Sequence, residues 1–202
     1  MCYALKEEEK NMPLKPKYSR EEIIDAAFAL AREKDMSAIS ARAVGKRLNV
    51  SSSPIFTVFE CIEQLRAEVW KRAVAFFDER IQQACAAHPE TSFITIGAET
   101  IKFAINEPNL FRILFVRQRP APKHGNIIMT DSKAAAMATQ AITNAYRIDG
   151  ESAKKIYDRV WIYTFGTAVM SMTGMLSLND EQIYDNLSRQ YEANYLLIKK
   201  LS

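Results

Sequence analysis

Histidine, cysteine, glycine and proline are all scarce in this chain, and each scarcity removes a class of protein. Its two histidines, His88 and His124, each sit beside a loop, and neither belongs to an HExxH or other ligand-spaced cluster. No metal site is indicated. Cys2, Cys61 and Cys85 are odd in number and contain no CxxC pair. That spacing argues against a disulfide framework or structural zinc, and it suits a reducing cytoplasm. The glycines and prolines, six and seven, fall mostly where helices would have to end. There is no GxGxxG, no GxSxG and no glycine loop able to cradle a phosphate, so no catalytic residue and no cofactor is assigned. The opening run MCYALKEEEKNMPLKPK has no apolar core and does not read as a secretory signal. A formal charge of +3 is too small for a nonspecific polyanion binder.

What is present is apolar and helical. With 48% apolar residues, the 202-residue chain can bury a sizeable core, which excludes disorder for most of its length. Strand alternation, internal repeats and low-complexity segments are absent from the sequence, so the expected class is all-α. Residues 1–16, polar and carrying Pro13 and Pro16, read as a flexible arm. Lys15, Lys17 and Arg20 could reach backbone phosphates or a minor groove from there.

Ser19 and Glu22 form an S-x-x-E capping box, which starts a helix running to about Lys34 with Ile23, Ala27, Leu30 and Ala31 on its buried face. The stretch SARAVGKRLNVSSSPIFTVF, from Ser40 to Phe59, then reads as two short helices around a tight turn. Val44 and Leu48 face inward, and Asn49 tolerates the left-handed conformation of a helix stop. Ser51 is expected to cap the second helix, with Ser52, Ser53 and Pro54 in its first turn. Ile55, Val58 and Phe59 repeat at helical spacing and point to a core. Arg42, Lys46 and Arg47 are the only charges between Met36 and Phe59. Such a patch suits DNA phosphates, with a solvated helix face as the bland alternative.

A long helix is expected over Ile62–Ala87, with Leu65, Val69, Ala73, Phe76 and Phe77 on its apolar side, ending at His88-Pro89. Further helices are expected over Thr91–Asn106, Asn109–Arg117, Ile127–Arg147, Ser152–Leu178 and Asp180–Lys200. Val160–Asn179 carries no charge, which raises a membrane helix. Its glycines, threonines and serines, and the lack of a second span, favour a buried helix of a soluble bundle. Thr167, Ser171 and Gly174 would let a neighbouring helix come close.

The run from Tyr18 to Leu65, YSREEIIDAAFALAREKDMSAISARAVGKRLNVSSSPIFTVFECIEQL, resembles the N-terminal domain of TetR/AcrR-type bacterial transcriptional regulators. The resemblance covers about a third of the chain; beyond it, the likeness is to a plan. It implies a helix-turn-helix DNA-binding domain over 17–77, and an effector-binding and dimerisation domain over 78–202. It also implies a cytoplasmic homodimer, joined through its last two helices, that binds double-stranded operator DNA and is released by a small apolar or amphipathic effector. On that plan Ser40 and Arg42 meet phosphates at a helix start, Lys46 and Arg47 add field, and Ser51, Ser52, Ser53, Pro54, Phe56 and Thr57 face the groove. For Ser51 plain helix capping is the competing role. Effector-pocket candidates are Phe76, Phe103, Phe111, Leu114, Phe115, Trp161, Tyr163, Phe165 and Met170, although aromatics at helical spacing are more often ordinary core. The chain departs from the family's YxHFxxK segment at three places, which hold Phe56, Val58 and Ile62 and so omit a hydroxyl, an imidazole and an ammonium. These departures motivate a second reading, a helical ligand-binding or protein-interaction module with a weakened DNA head.

Overall fold

A computed structural model of the protein describes residues 18–116 and 133–201. Among them are nine α-helices and no strand: α1 (Arg20–Glu33), α2 (Ala41–Arg47), α3 (Ser53–Phe56), α4 (Ile62–Ala87), α5 (Ser92–Asn106), α6 (Pro108–Phe115), α7 (Lys133–Tyr146), α8 (Gly150–Met172) and α9 (Asp180–Leu201). The arm over 1–16, Cys2, His124 and the expected first turns of α7 from Ile127 lie outside the described residues.

The capping box forms as the sequence predicts. The Ser19 hydroxyl accepts from the Glu22 backbone N–H, and the Glu22 carboxylate accepts from the Ser19 N–H at 2.7 Å. Those hydrogen bonds, the backbone one foremost, hold the Glu22 carboxyl below its ordinary pKa. Helix α1 then lies along α4, and charged side chains line the seam: Arg72 pairs with Glu21 at 2.7 Å and Asp25 at 3.0 Å, and Arg20 with Glu68 at 3.1 Å. The expected small-bundle core of Ile23, Ala27, Leu30, Val44, Ile55 and Phe59 is buried, with Leu48 half-buried at its edge.

Helix α4 has the bounds the sequence predicts and stops at His88-Pro89, where a proline cannot extend the ladder. Its buried stripe is Leu65, Val69, Ala73, Phe77, Ile81 and Cys85. Phe76 is turned toward α1 instead, edge-on to Phe28 at 5.9 Å. The end of α1 is clamped to the start of α6. Arg32 makes a two-pronged pair with Glu107, its guanidinium lies 5.2 Å over the Phe76 ring, and the Asn109 side-chain amide donates to the Arg32 carbonyl at 2.8 Å.

The C-terminal helices are built around α5, which packs against α4, α6, α7, α8 and α9. Helices α8 and α9 approach α5 closely at Gly97. A methyl group there would meet Leu187 of α9 at 3.1 Å and the Thr164 hydroxyl of α8 at 3.4 Å. This relocates the expectation for Thr167, Ser171 and Gly174: Thr167 is buried, but Gly174 faces open space. Helix α8 also ends at Met172, short of the expected Leu178. Gly174 takes φ +76°, and the Met175 N–H turns back to the Met170 carbonyl, which closes the helix end. Among the described residues, no helix is long and apolar enough to cross a membrane.

One buried carboxylate, Glu99 of α5, ties three helices together. It accepts from Arg80 of α4 at 2.8 Å and lies 3.4 Å from Lys102, which reaches Asp180 at the start of α9 at 2.6 Å. Burial works against the Lys102 ammonium, yet the hydrogen bond to Asp180 and the Glu99 charge hold its pKa above the ordinary value. Glu99→Gln should cost about 2–3 kcal/mol in urea unfolding, below the ~3–5 kcal/mol for breaking a wholly buried pair, because the Arg80 side chain is one-third exposed. Unchanged stability would mean that the carboxylate does not join the helices.

Candidate nucleic-acid interface

The α2–turn–α3 unit is closed by backbone geometry. Ser40 caps α2, its hydroxyl accepting from the Ala43 N–H at 3.2 Å. The carbonyl just before it, that of Ile39, accepts from Arg66 Nη2 at 2.8 Å and Nε at 3.2 Å, so α4 holds the start of α2. At the other end Asn49 adopts φ +56°. The Asn49 N–H donates to the Lys46 carbonyl at 3.2 Å, and the Val50 N–H to the Gly45 carbonyl at 2.9 Å. This is a Schellman stop, the turn that a left-handed residue after a helix permits. The Tyr18 hydroxyl donates to the Leu48 carbonyl at 2.7 Å and pins the same end. The chain folds back so tightly that a Cβ on Gly45 would lie 2.8 Å from the carbonyl oxygens of Val50 and Ser51.

Helix α3 is a single turn, shorter than its pattern suggests, and its cap falls one residue later than expected. The flanking residue is Ser52, whose own backbone is already helical (φ −72°, ψ −20°), so its hydroxyl makes no capping bond. A capping side chain needs an extended backbone at that position. The expected capping role of Ser51 is therefore not realised. Ile55 and Phe59 fill the core below, and Arg20 lies 4.5 Å over the Phe59 ring.

The outward set is Ser40, Arg42, Lys46, Arg47, Ser51, Ser53, Phe56 and Thr57, all exposed, with Ser52 and Pro54 half-buried between them. Three of these groups already have partners. The Ser40 hydroxyl serves its cap, the Thr57 hydroxyl donates to the Pro54 carbonyl at 2.7 Å, and Arg47 pairs with Glu33 of α1 at 2.8 Å. That acid lies outside the acid-free window and reaches it only through the fold. Phe56 is half-exposed at 52%. Val58 and Ile62 are partly buried against the core, so two of the three departures present packing where the resembled pattern presents polar groups. The next residues along the chain add exposed carboxylates at Glu60 and Glu63, which the basic window stopped short of.

The nine effector-pocket candidates separate into a cluster and an outlier. Phe103 meets Phe77 at 5.0 Å and Phe76 at 6.2 Å; Phe115 meets Phe77 at 5.1 Å, Phe111 at 4.9 Å and Trp161 at 6.4 Å; Phe111 stacks on Phe165 at 6.0 Å. Leu114 is buried and Tyr163 half-buried, whereas Met170 is exposed. A cleft of about 900 Å³ lies elsewhere, between the end of α4 and α7, and none of the nine lines it. Sequence periodicity had no signal for this cleft, because residues of segments far apart in sequence line it.

Comparison with family models and with curated proteins yields no match. Among solved structures, the chain is similar to a TetR transcriptional regulator from Rhodococcus sp. RHA1, at 15% identity and a TM-score of 0.45, over 87% of this chain and 94% of that one.

The tight turn gives a direct check. Gly45→Ala sets a methyl group against backbone that cannot rotate away, so stability should fall by about 1–3 kcal/mol, as in overpacked cores. Thermal unfolding reads the loss, and a melting temperature equal to wild type would show that the turn has room to spare.

Proposed function

We propose that this protein is a DNA-binding transcriptional regulator, a cytoplasmic homodimer that represses by occupying operator DNA and releases it when a small apolar or amphipathic effector binds. The observation that carries this is the Schellman-closed α2–turn–α3 unit, held from α4 by Arg66 and presenting Arg42, Lys46 and a run of serines outward. Cations and hydroxyls on a rigid helix pair suit phosphates and base edges. A single-turn α3 offers few base contacts per subunit, so two heads acting together suit the reading. A dimer would set them in successive major grooves, about 34–36 Å apart.

The outer faces of the last two long helices support the dimer. Ile162 and Met170 on α8, Met175 just beyond it, and Leu196 and Leu197 on α9 are large apolar residues left exposed. Gly166 lies between Ile162 and Met170 at helical spacing, open to solvent, where a partner helix could come close. Two such helices from each subunit make a four-helix bundle. An effector acts by binding one head spacing more tightly than another. The aromatic cluster of Phe76, Phe103, Phe111, Phe115, Trp161 and Phe165 is one place where it could be felt, since Phe76 touches both α1 and α5. No catalytic role is assigned.

The second reading, a ligand-binding or interaction module with a weakened head, draws on the Arg47–Glu33 pair, the Thr57 hydroxyl already bonded to the Pro54 carbonyl and the apolar packing of Val58 and Ile62. An electrophoretic shift against the promoter region of the protein's own gene separates the two. The regulator reading expects sequence-selective binding at low salt, with Arg42→Ala weakening it and lowering the slope of log K against log salt by about one. No selective binding at low salt, or occupancy indifferent to both Arg42→Ala and Thr57→Ala, favours the weakened head.

A further inference from the structure

We propose that Tyr18 and Arg66 are positioning residues for DNA binding: without touching DNA, they set the orientation of α2 by hydrogen-bonding the backbone carbonyls at its two ends. This role rests on the regulator reading and falls to two side chains outside the outward set.

The need for such residues follows from the size of the unit. Helix α2 has seven residues, of which Val44 and Gly45 are buried, and α3 has four, of which Ile55 is buried. Isolated helices shorter than about 12–15 residues are marginal, and packing of an apolar face ordinarily holds them in place. A helix that buries one valine side chain can swivel about it unless its ends are held.

Both ends are held, and by side chains from other segments. Ile39 is wholly buried, and its carbonyl precedes the Ser40 cap. It therefore lies outside the α2 ladder, which begins where the Val44 N–H donates to the Ser40 carbonyl at 3.0 Å. A buried carbonyl needs a donor. Arg66, near the start of α4, supplies two, Nη2 at 2.8 Å and Nε at 3.2 Å. Its remaining nitrogen, Nη1, lies 3.7 Å from the Glu63 carboxylate, so the guanidinium is committed within the protein and not offered to a phosphate. At the far end the Tyr18 hydroxyl, 30 residues away in sequence, donates to the Leu48 carbonyl at 2.7 Å, just before the left-handed Asn49.

The two anchored carbonyls flank the groups aimed at DNA. Ile39 is joined to Ser40, whose cap opens the turn that carries Arg42, and Leu48 leads through Asn49 to Ser51, Ser52 and Ser53. Freeing the first carbonyl lets the phosphate end drift, and freeing the second tilts α3 in the groove. Phosphate contacts fix register and base-edge contacts specify sequence. A tilt of α2 therefore weakens selective binding and spares the nonselective attraction, which depends on charge.

The test uses the full-length protein, a promoter fragment of its own gene and a scrambled duplex of equal length. Tyr18→Phe deletes one oxygen and keeps the ring, so the fold survives it. Selective affinity should fall about fivefold, the worth of one hydrogen bond. Arg66→Met should lower it about tenfold or more, and Arg66→Lys, which keeps the charge without the fork, should not restore it. Each variant should bind the scrambled duplex as the wild type does, with the same salt slope. Without DNA, amide hydrogen exchange across α2 should quicken at least about fivefold in Tyr18→Phe and Arg66→Met, while exchange in α5 stays at the wild-type rate. The proposal is overturned by wild-type selective affinity in Tyr18→Phe and Arg66→Met, by equal losses on both duplexes, by rescue in Arg66→Lys, or by unchanged exchange across α2. No selective shift by the wild-type protein defeats the regulator reading and this role with it, whereas a wild-type shift that the variants share defeats this role alone.

Discussion

The molecule depends on a helix with almost no face to give to water. α5 is wrapped by five others, and of its 15 residues 11 are buried, Glu99 among them. A carboxylate in such a place is tolerable only when cations come to it, which commits Arg80 of α4 and Lys102 beside it to fixed positions. Lys102 in turn draws Asp180, so the start of α9 is set by the same charge. Gly97 lets α8 and α9 close around α5 at a distance no larger residue would permit without Leu187 giving way. The packing of the C-terminal helices follows from these two features of one helix.

From that core the constraint passes outward along α4. Its last turns lie against α5, and its first turns hold the small helices at the N-terminus, with Leu65, Val69 and Ala73 buried along the way. A second tie runs through α6. Because Glu107 precedes α6 and grips Arg32 near the end of α1, the N-terminal bundle meets the core at two places and not only through the helix that covalently joins them. Phe76, between Phe28 of α1 and Phe103 of α5, makes that junction apolar as well as ionic.

The outward face of the α2–turn–α3 unit is a compromise between shape and charge. Its geometry is enforced by hydrogen bonds to backbone, which mutation of the exposed side chains would leave intact. Its field is reduced by Glu33 on Arg47 and by Glu60 and Glu63 just beyond. Few free cations therefore remain on a face whose other exposed groups are serines and Phe56.

Local chemistry made much of this legible beforehand. The capping box at Ser19, the left-handed Asn49 and the stop at Pro89 each act within a few residues, so the ends of α1, α2 and α4 could be read directly. Where a choice depended on a neighbour along the chain that had to be seen in three dimensions, the reading slipped: Ser51 lost its cap to the backbone of Ser52, and α8 stopped at Gly174 inside an uncharged run that continued. The site divides the same way. That Arg42, Lys46, Arg47, Ser53 and Thr57 are exposed followed from helical period, whereas Ser52 and Pro54 are half-buried. That Arg47 already has a partner, that Met170 is exposed and that the open cleft lies between α4 and α7 are facts of packing between segments far apart in sequence. The sequence by itself determined helices, their starts and their buried faces, because those depend on periodicity and on hydrogen bonds within a turn. Only the tertiary structure decided which charges neutralise each other and where space is left, because both depend on distances that the chain sets by folding back on itself.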